Sequence, residues 1–179
     1  MFRSGVGFLA LFGAGWWLLG TSAFDGWVRP VAIVVGCALA LGLMLAAQRL
    51  LPASAGGPLP AHLRRRFHRI NALQWLLIIV IAVVCGRAGS PVLIPPLVAL
   101  VAGLHFLPLA VVFSQPRLRL PAALLVLAGT GGLAVWATHG PDTTVRLVVG
   151  VTAALSLWTT AAWTVTGAAS APREPVPTP

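Results

Sequence analysis

Apolar residues fill six long stretches of the chain, and none of these stretches contains Asp, Glu, Lys or Arg. A helix that crosses the hydrocarbon core of a bilayer needs roughly 17–25 mostly apolar residues. Each stretch reaches that length, and polar or proline-containing links separate them. We therefore predict an all-α polytopic membrane bundle of six transmembrane helices. The predicted helices cover residues 5–23, 31–48, 67–86, 94–113, 120–138 and 147–166, and the third includes Arg69 just ahead of its uncharged stretch.

A weak internal repeat groups these helices into three pairs. Residues 31–36, 97–103 and 145–150 each open an even-numbered helix with Val or Leu, and each segment ends at a glycine. All three segments follow a turn on the same side of the membrane. We therefore expect three helical hairpins in series, a common way to build small membrane bundles.

Two segments are too rich in proline or glycine to pack as helices. The link 51–63 contains three prolines and two glycines, and we predict a flexible loop in water. The tail 168–179 contains four prolines, and we predict that it is disordered. The remainder, residues 1–167, forms one transmembrane domain that includes the flexible loop.

The composition agrees with a lipid environment. Hydrophobic residues make up 58% of the chain and charged residues only 8%, whereas about a quarter of the residues in a soluble domain are charged. All twelve basic residues are arginine and give a net charge of +9. They flank the apolar stretches, so topology and anionic lipid explain them, and we expect no nucleic-acid partner. Arginine without lysine, beside abundant alanine and glycine, indicates a GC-rich bacterial genome.

The arginines are distributed unequally between the two sides of the predicted bundle. Nine lie on the side that holds both termini and the second and fourth links, and the other side has Arg29, Arg87 and Arg146. The positive-inside rule therefore predicts a bacterial cytoplasmic (inner) membrane protein with both termini in the cytoplasm. A second interpretation makes the first helix a signal peptide cleaved after Ala23. Its apolar run is longer than the 7–15 residues of a signal peptide, which favours a retained helix.

Four arginines stand together at the start of the third predicted helix. We expect them to contact anionic lipid headgroups, at about 1 kcal/mol per basic residue near the surface. They also anchor the topology, and the two roles are compatible. These residues are Arg64, Arg65, Arg66 and Arg69.

His105 is the ionisable side chain nearest the middle of a predicted span, which makes it a functional candidate. Pro108 follows three residues later and removes the hydrogen bond to the carbonyl of Leu104, so helix four should kink there. The imidazole and the freed carbonyl could bind water, an ion or a polar ligand. The alternative, which we favour, is that neutral His105 hydrogen-bonds a neighbouring helix and stabilises the bundle.

Helix six carries hydroxyl side chains at every fourth residue, so they share one face. This face could line a pathway for a polar solute, and we expect the partner of His105 to be one of its first three hydroxyls or a bound water. It could instead be a seam of small residues at which two helices approach closely, and we favour the seam because Ser and Thr often bond to their own helix. The positions are Thr152, Ser156, Thr160 and Thr164.

The glycine-rich segment 129–132 lies in the middle of helix five. It allows two interpretations, a break that lines a cavity and a notch that permits close packing. Glycine is common in membrane helices, so we favour the notch.

The chain lacks the residues that membrane enzymes and proton-coupled transporters use. All three acidic residues lie outside the predicted spans, and there is no lysine for a Schiff base. His and Cys are scattered without the spacing of a metal site. We therefore expect no catalytic residue, no metal and no cofactor. Cys37 and Cys85 are predicted at different depths, so we expect two free, packed thiols.

The hairpin layout and glycine-rich apolar segments such as residues 13–17 carry a family resemblance. In these features the chain resembles small bacterial six-helix membrane proteins of the HdeD-like kind. The resemblance implies an association with stress or acid tolerance and carries over no catalytic residue.

These observations together predict a non-enzymatic membrane protein with an accessory or stress-related role. Its expected partners are the bilayer and its anionic headgroups, and a second copy or another membrane protein. The alternative is a small channel or facilitator. Its pathway would pass His105, Thr152, Ser156 and Thr160.

Overall fold

The computed structural model of the protein describes residues 3–51 and 60–169. Regular structure in these ranges is entirely helical, which confirms the all-α prediction. Short 3₁₀ turns, Pro91–Leu93 and Pro116–Leu118, lead into the fourth and fifth helices. The helices are α1 (Arg3–Thr21), α2 (Val28–Leu50), α3 (Ala61–Arg87), α4 (Ile94–Val112), α5 (Arg119–Ala137) and α6 (Asp142–Ala169).

Five of these helices, α2 to α6, are long and apolar enough to cross a membrane. α1 is also apolar, but its apolar segment, Gly5–Thr21, is shorter than those of the other five helices. A multi-pass membrane protein is therefore consistent with the structure, and the crossing of α1 stays a prediction.

Helix boundaries differ from the predicted ones mainly at α3 and α6. α3 begins at Ala61, directly after Pro60, so residues 61–63 of the predicted loop are helical. Arginine favours helix and proline is suited to a helix start, which explains the earlier beginning. α6 begins at Asp142 and continues to Ala169, so the first two residues of the predicted tail are also helical. The rest of that loop (52–59) and tail (170–179) lies outside the described residues.

The chain reverses direction in the same way after α3, α4 and α5. The second residue after each helix adopts a left-handed backbone. The amide of the residue that follows it donates to the carbonyl five positions earlier in the chain. This closure satisfies carbonyls at the helix end and allows a tight antiparallel connection. The left-handed residues are Gly89 (φ 69°), Ser114 (φ 50°) and His139 (φ 57°).

The helices pack in a curved row in the order α2, α1, α6, α5, α4, α3. α6 lies at the centre and also contacts α2 and α4. Each predicted hairpin has its two helices in contact, but the most extensive interfaces, α1–α6 and α4–α5, join different hairpins. The packing therefore does not single out three hairpins.

Glycines let α1 and α6, the two helices farthest apart in sequence, approach backbone to backbone. A Cβ atom on Gly150 would lie 2.6 Å from both the Cα of Gly20 and the carbonyl oxygen of Trp16. No side chain fits into that space, so this crossing requires glycine. The first and last helices are thereby fixed against each other.

Two tryptophans extend this contact across three helices. Trp158 of α6 donates its indole N–H to the carbonyl of Ala10 in α1 at 3.1 Å. Trp17 of α1 donates in the same way to the carbonyl of Ala32 in α2 at 2.7 Å. The two rings lie 5.4 Å apart between centroids. Two indoles with satisfied N–H groups, one buried and one half-buried, connect α6 to α1 and α1 to α2.

Candidate functional site

The His105 side chain is half-buried on the side of α4 that faces α3. Its imidazole lies against the main chain of Ile70 in α3 and makes an edge contact with Phe106. The Nδ1 atom is buried and has no hydrogen-bond partner. No hydrogen bond joins His105 to the hydroxyls of α6 among the described residues, so the structure does not support a partner on α6, and a bound water as the partner stays a prediction. The neighbouring helix that His105 contacts is α3.

Pro108 lies inside α4, which continues through it as one helix from Ile94 to Val112. Proline has no N–H, so the carbonyl of Leu104 loses its helical donor. That carbonyl and His105 are adjacent in sequence and both belong to the middle of the helix. The predicted bend of α4 at this point stays a prediction.

The hydroxyl face of α6 is directed into the helix bundle. Ser156 and Thr160 are buried, and Thr152 and Thr164 are half-buried. Thr160 donates to the carbonyl of Ser156 at 2.9 Å, and Thr164 donates to the carbonyl of Thr160 at 2.8 Å. Such bonds to the preceding turn satisfy hydroxyls inside a membrane helix. They support the seam interpretation over a hydroxyl-lined pathway.

One hydroxyl on this face departs from the pattern. The Oγ of Ser156 is buried and has no hydrogen-bond partner. An unsatisfied buried hydroxyl is unfavourable by about 1–3 kcal/mol. Ser156 and His105 are therefore two membrane-level residues with a buried polar atom that a water or ligand would satisfy.

The glycine-rich segment of α5 is a packing notch. α5 continues unbroken from Arg119 to Ala137. A Cβ on Gly129 would lie 2.6 Å from the carbonyl of Pro96 in α4, and one on Gly132 would collide with Val149 in α6. These glycines let α5 lie close to both neighbours, as the favoured interpretation predicted.

Two cavities in the described part of the chain lie away from His105. One is an apolar groove of about 470 Å³ on the outer face of α1. The other has a volume of about 230 Å³ and lies between the α4–α5 link and α6, where polar side chains line it. Its lining residues are Ser114, Gln115, Pro116, Arg117, Leu118, Thr160 and Thr164.

Sequence reasoning missed a contact made by Arg117, one of the residues that line this second cavity. The guanidinium carbon of Arg117 lies 5.1 Å from the ring centroid of Trp163 in α6, a cation–π geometry. The two residues are far apart in sequence, and each has an ordinary topological explanation on its own. Only the packing of α6 beside the α4–α5 link brings them together.

The predicted headgroup-binding arginines are all exposed in the first three turns of α3. Phe67, within the same turns, packs edge-on against Phe113 at the end of α4, with 5.8 Å between ring centroids. This contact fixes α3 and leaves the arginines free to reach outward. Contact with headgroups stays a prediction for Arg64, Arg65, Arg66 and Arg69.

The described residues offer little to a metal or cofactor. They contain no group of three His, Cys, Asp or Glu side chains that could hold a metal ion. Cys85 and Cys37 are both free thiols. Cys85 is buried as predicted, whereas Cys37 is exposed on α2, so the predicted packing is wrong for Cys37. α2 has neighbours on one side only, which leaves that position uncovered.

Comparison with known proteins gives no relative to guide the assignment. No family model matches the chain, and neither a curated protein nor a solved structure is significantly similar to it.

Proposed function

We propose that the chain is a six-span bacterial cytoplasmic-membrane protein that acts through helix contacts and catalyses no reaction. The observation that carries the proposal is the close packing around α6. Backbone contact at Gly150 and two indole hydrogen bonds join three helices. An interior of this kind suits a stable accessory component, for which the HdeD-like resemblance suggests a stress-related role.

The outward faces of α2 and α3, the two helices at the ends of the row, support a function that depends on contacts with other proteins. In the most apolar segment of each helix, the buried share of the residues is 6% for α3 and 17% for α2, compared with 56% for the central helix α6. In a membrane, lipid covers such faces, and a second copy or another membrane protein can replace the lipid there. We propose that partners of this protein bind along α2 or α3.

Crosslinking tests this proposal. Cys37 is a natural exposed thiol on α2, so a thiol-reactive crosslinker applied to native membranes should trap neighbours through it. Adducts that disappear in Cys37→Ser and persist in Cys85→Ser are the expected result. The same experiment can be done on α3 with a cysteine in place of the exposed Ile79. If neither Cys37 nor this second cysteine gives any crosslinked adduct, the proposal is contradicted.

A small channel or facilitator is the second candidate function. The observation that favours it is that Nδ1 of His105 and Oγ of Ser156 are two of the three buried side-chain polar atoms without a hydrogen-bond partner in the described residues, the third being Nε of Arg146. Water passing these atoms would satisfy both. Reconstitution into vesicles distinguishes the candidates, because a facilitator should raise solute or ion flux above that of protein-free vesicles and the accessory protein should not.

A further inference from the structure

The polar cavity beside Arg117 has the chemistry of a binding site for a phosphate group. Its volume of about 230 Å³ is several times the roughly 30 Å³ occupied by one water molecule. Arg117 supplies a guanidinium, whose planar fork matches two phosphate oxygens at once. Ser114 and Gln115 add a hydroxyl and an amide from the same link. The cavity therefore combines a cation with neutral hydrogen-bond donors.

Packing holds the cation of this cavity in place. Arg117 lies over the ring of Trp163, at 5.1 Å from its centroid. Gly167, one turn further along α6, leaves room for the guanidinium, because a Cβ there would lie 3.3 Å from Nη1 of Arg117. A cation that is already positioned loses less conformational freedom when it binds an anion.

The protein supplies no negative charge at this end of the described helices. The acidic side chains in the described ranges are Asp25 and Asp142. Asp142 begins α6, whereas the cavity lies beside Thr160 and Thr164 of that helix, roughly 27 Å away along its axis. Asp25 follows the end of α1 that crosses α6 at Gly150, so it lies at the same far end. Within the described residues no carboxylate lies near Arg117, so an anion from solution can serve as its counter-charge.

From these observations the geometry points to a phosphate-binding site formed by Ser114, Gln115 and Arg117 against α6. The site lies at the arginine-rich ends of the helices, where lipid headgroups meet a membrane protein. Its ligand is the phosphate of an anionic phospholipid or a free phosphate ion. Thr160 and Thr164 form its polar floor, and their hydroxyls donate to the helix backbone.

Thermal unfolding of the full chain in detergent tests the site with three separate probes. These are short-chain phosphatidylglycerol, inorganic phosphate, and diacylglycerol with the same acyl chains. A ligand that binds the folded state raises the midpoint with its concentration, which gives an apparent Kd. Phosphatidylglycerol alone should stabilise if the source is lipid, and inorganic phosphate should also stabilise if the site accepts free phosphate. Equal stabilisation by diacylglycerol would overturn the proposal.

Arg119→Gln is the matched control for Arg117→Gln. Both residues are exposed arginines near the start of α5, but Arg119 does not line the cavity. Arg117→Gln should weaken the apparent affinity for the phosphate probe about tenfold or more, and Arg119→Gln should change it less than threefold. Equal losses in the two variants would show general charge attraction and refute the site.

Trp163→Leu keeps the proposal testable if Arg117→Gln does not fold. It changes no charge and removes only the surface on which Arg117 rests. A several-fold weaker affinity for the phosphate probe is expected, with Trp75→Leu on the exposed face of α3 as control. An unchanged affinity in Trp163→Leu would show that the contact between Arg117 and the Trp163 ring does not position the guanidinium for binding.

Discussion

Trp158 and Ala10 lie 148 positions apart in the chain and share a buried hydrogen bond. The indole N–H of Trp158 donates to the Ala10 carbonyl at 3.1 Å, and the ring occupies the space over Gly13, where a Cβ would lie 2.6 Å from Cδ1 of the indole. The glycine creates the place for the ring, and the carbonyl satisfies its N–H. Trp17 repeats the arrangement over Gly36 with the carbonyl of Ala32.

This repetition explains how a chain with few polar side chains fixes the order of its helices. Apolar surface alone gives little direction to helix packing in lipid, because acyl chains are as apolar as leucine. A bulky ring over a glycine, with one hydrogen bond, specifies both the neighbour and the depth at which it packs. α6, α1 and α2 are aligned in this way.

Replacing Trp158 with phenylalanine tests the contribution of the indole hydrogen bond. The ring contact is mostly kept while the Ala10 carbonyl loses a donor, so stability should fall by about 1 kcal/mol. Trp158→Ala should lower it by about 3–5 kcal/mol, since the ring leaves a cavity. Reversible unfolding in mixed detergent measures both changes.

The control for this series is Trp75→Phe. Trp75 is 51% exposed on α3, so its replacement should change stability by less than about 0.5 kcal/mol. Equal effects of Trp158→Phe and Trp75→Phe would show that the bond to Ala10 does not stabilise the fold.

Replacing Gly150 with alanine tests the crossing of α1 and α6. The new methyl group would overlap backbone atoms of Gly20 and Trp16, which cannot move as a side chain can. Overpacking of this kind is unfavourable by about 1–3 kcal/mol or more. The midpoint of thermal unfolding in detergent should therefore fall.

Gly15→Ala is the matched change on the open face of α1. No atom lies within 4 Å of a Cβ at Gly15, and alanine favours helix over glycine by roughly 0.5–1 kcal/mol. Gly15→Ala should thus be neutral or stabilising. A Gly150→Ala variant as stable as Gly15→Ala would refute the backbone contact.

Replacing His105 with leucine distinguishes structural from transport roles at this residue. The change removes a contact with the main chain of Ile70 and also an unsatisfied buried nitrogen. These effects oppose each other, so we expect stability to change by less than about 1 kcal/mol. Solute flux through vesicles that contain the wild-type chain should equal that of His105→Leu. A flux that the substitution abolishes would favour the channel over the accessory protein.

The sequence predicted the helices well and their neighbours poorly, for a physical reason. Apolar length is a local property, so α2, α4 and α5 lie close to their predicted positions. Contacts such as that between Arg117 and Trp163 depend on which helices are neighbours. Helices rich in valine, leucine and glycine can pack in many arrangements, so their sequences do not specify the neighbours. The sequence did not show which helix faces His105, and in the structure the main chain of Ile70 in α3 lies beside the imidazole.

At the candidate site, the features that could be predicted from the sequence are those that depend on a single helix. The bonds of Thr160 and Thr164 to the preceding turn follow from their own helix, and sequence reasoning anticipated them. The notch at Gly129 was likewise predictable from glycine within an apolar helix. The cavity beside Arg117 was not, because it forms between two segments more than 40 residues apart.

Whether all six helices span the membrane depends on α1. Five helices are long and apolar enough to span, whereas the apolar segment of α1, Gly5–Thr21, is shorter. A topology reporter inserted after Asp25, in the full-length protein, gives the most direct test. We expect it to read external, with reporters after Gln48 and at the C-terminus reading cytoplasmic. A cytoplasmic reading at Asp25 would show that α1 does not cross and would contradict the six-span account.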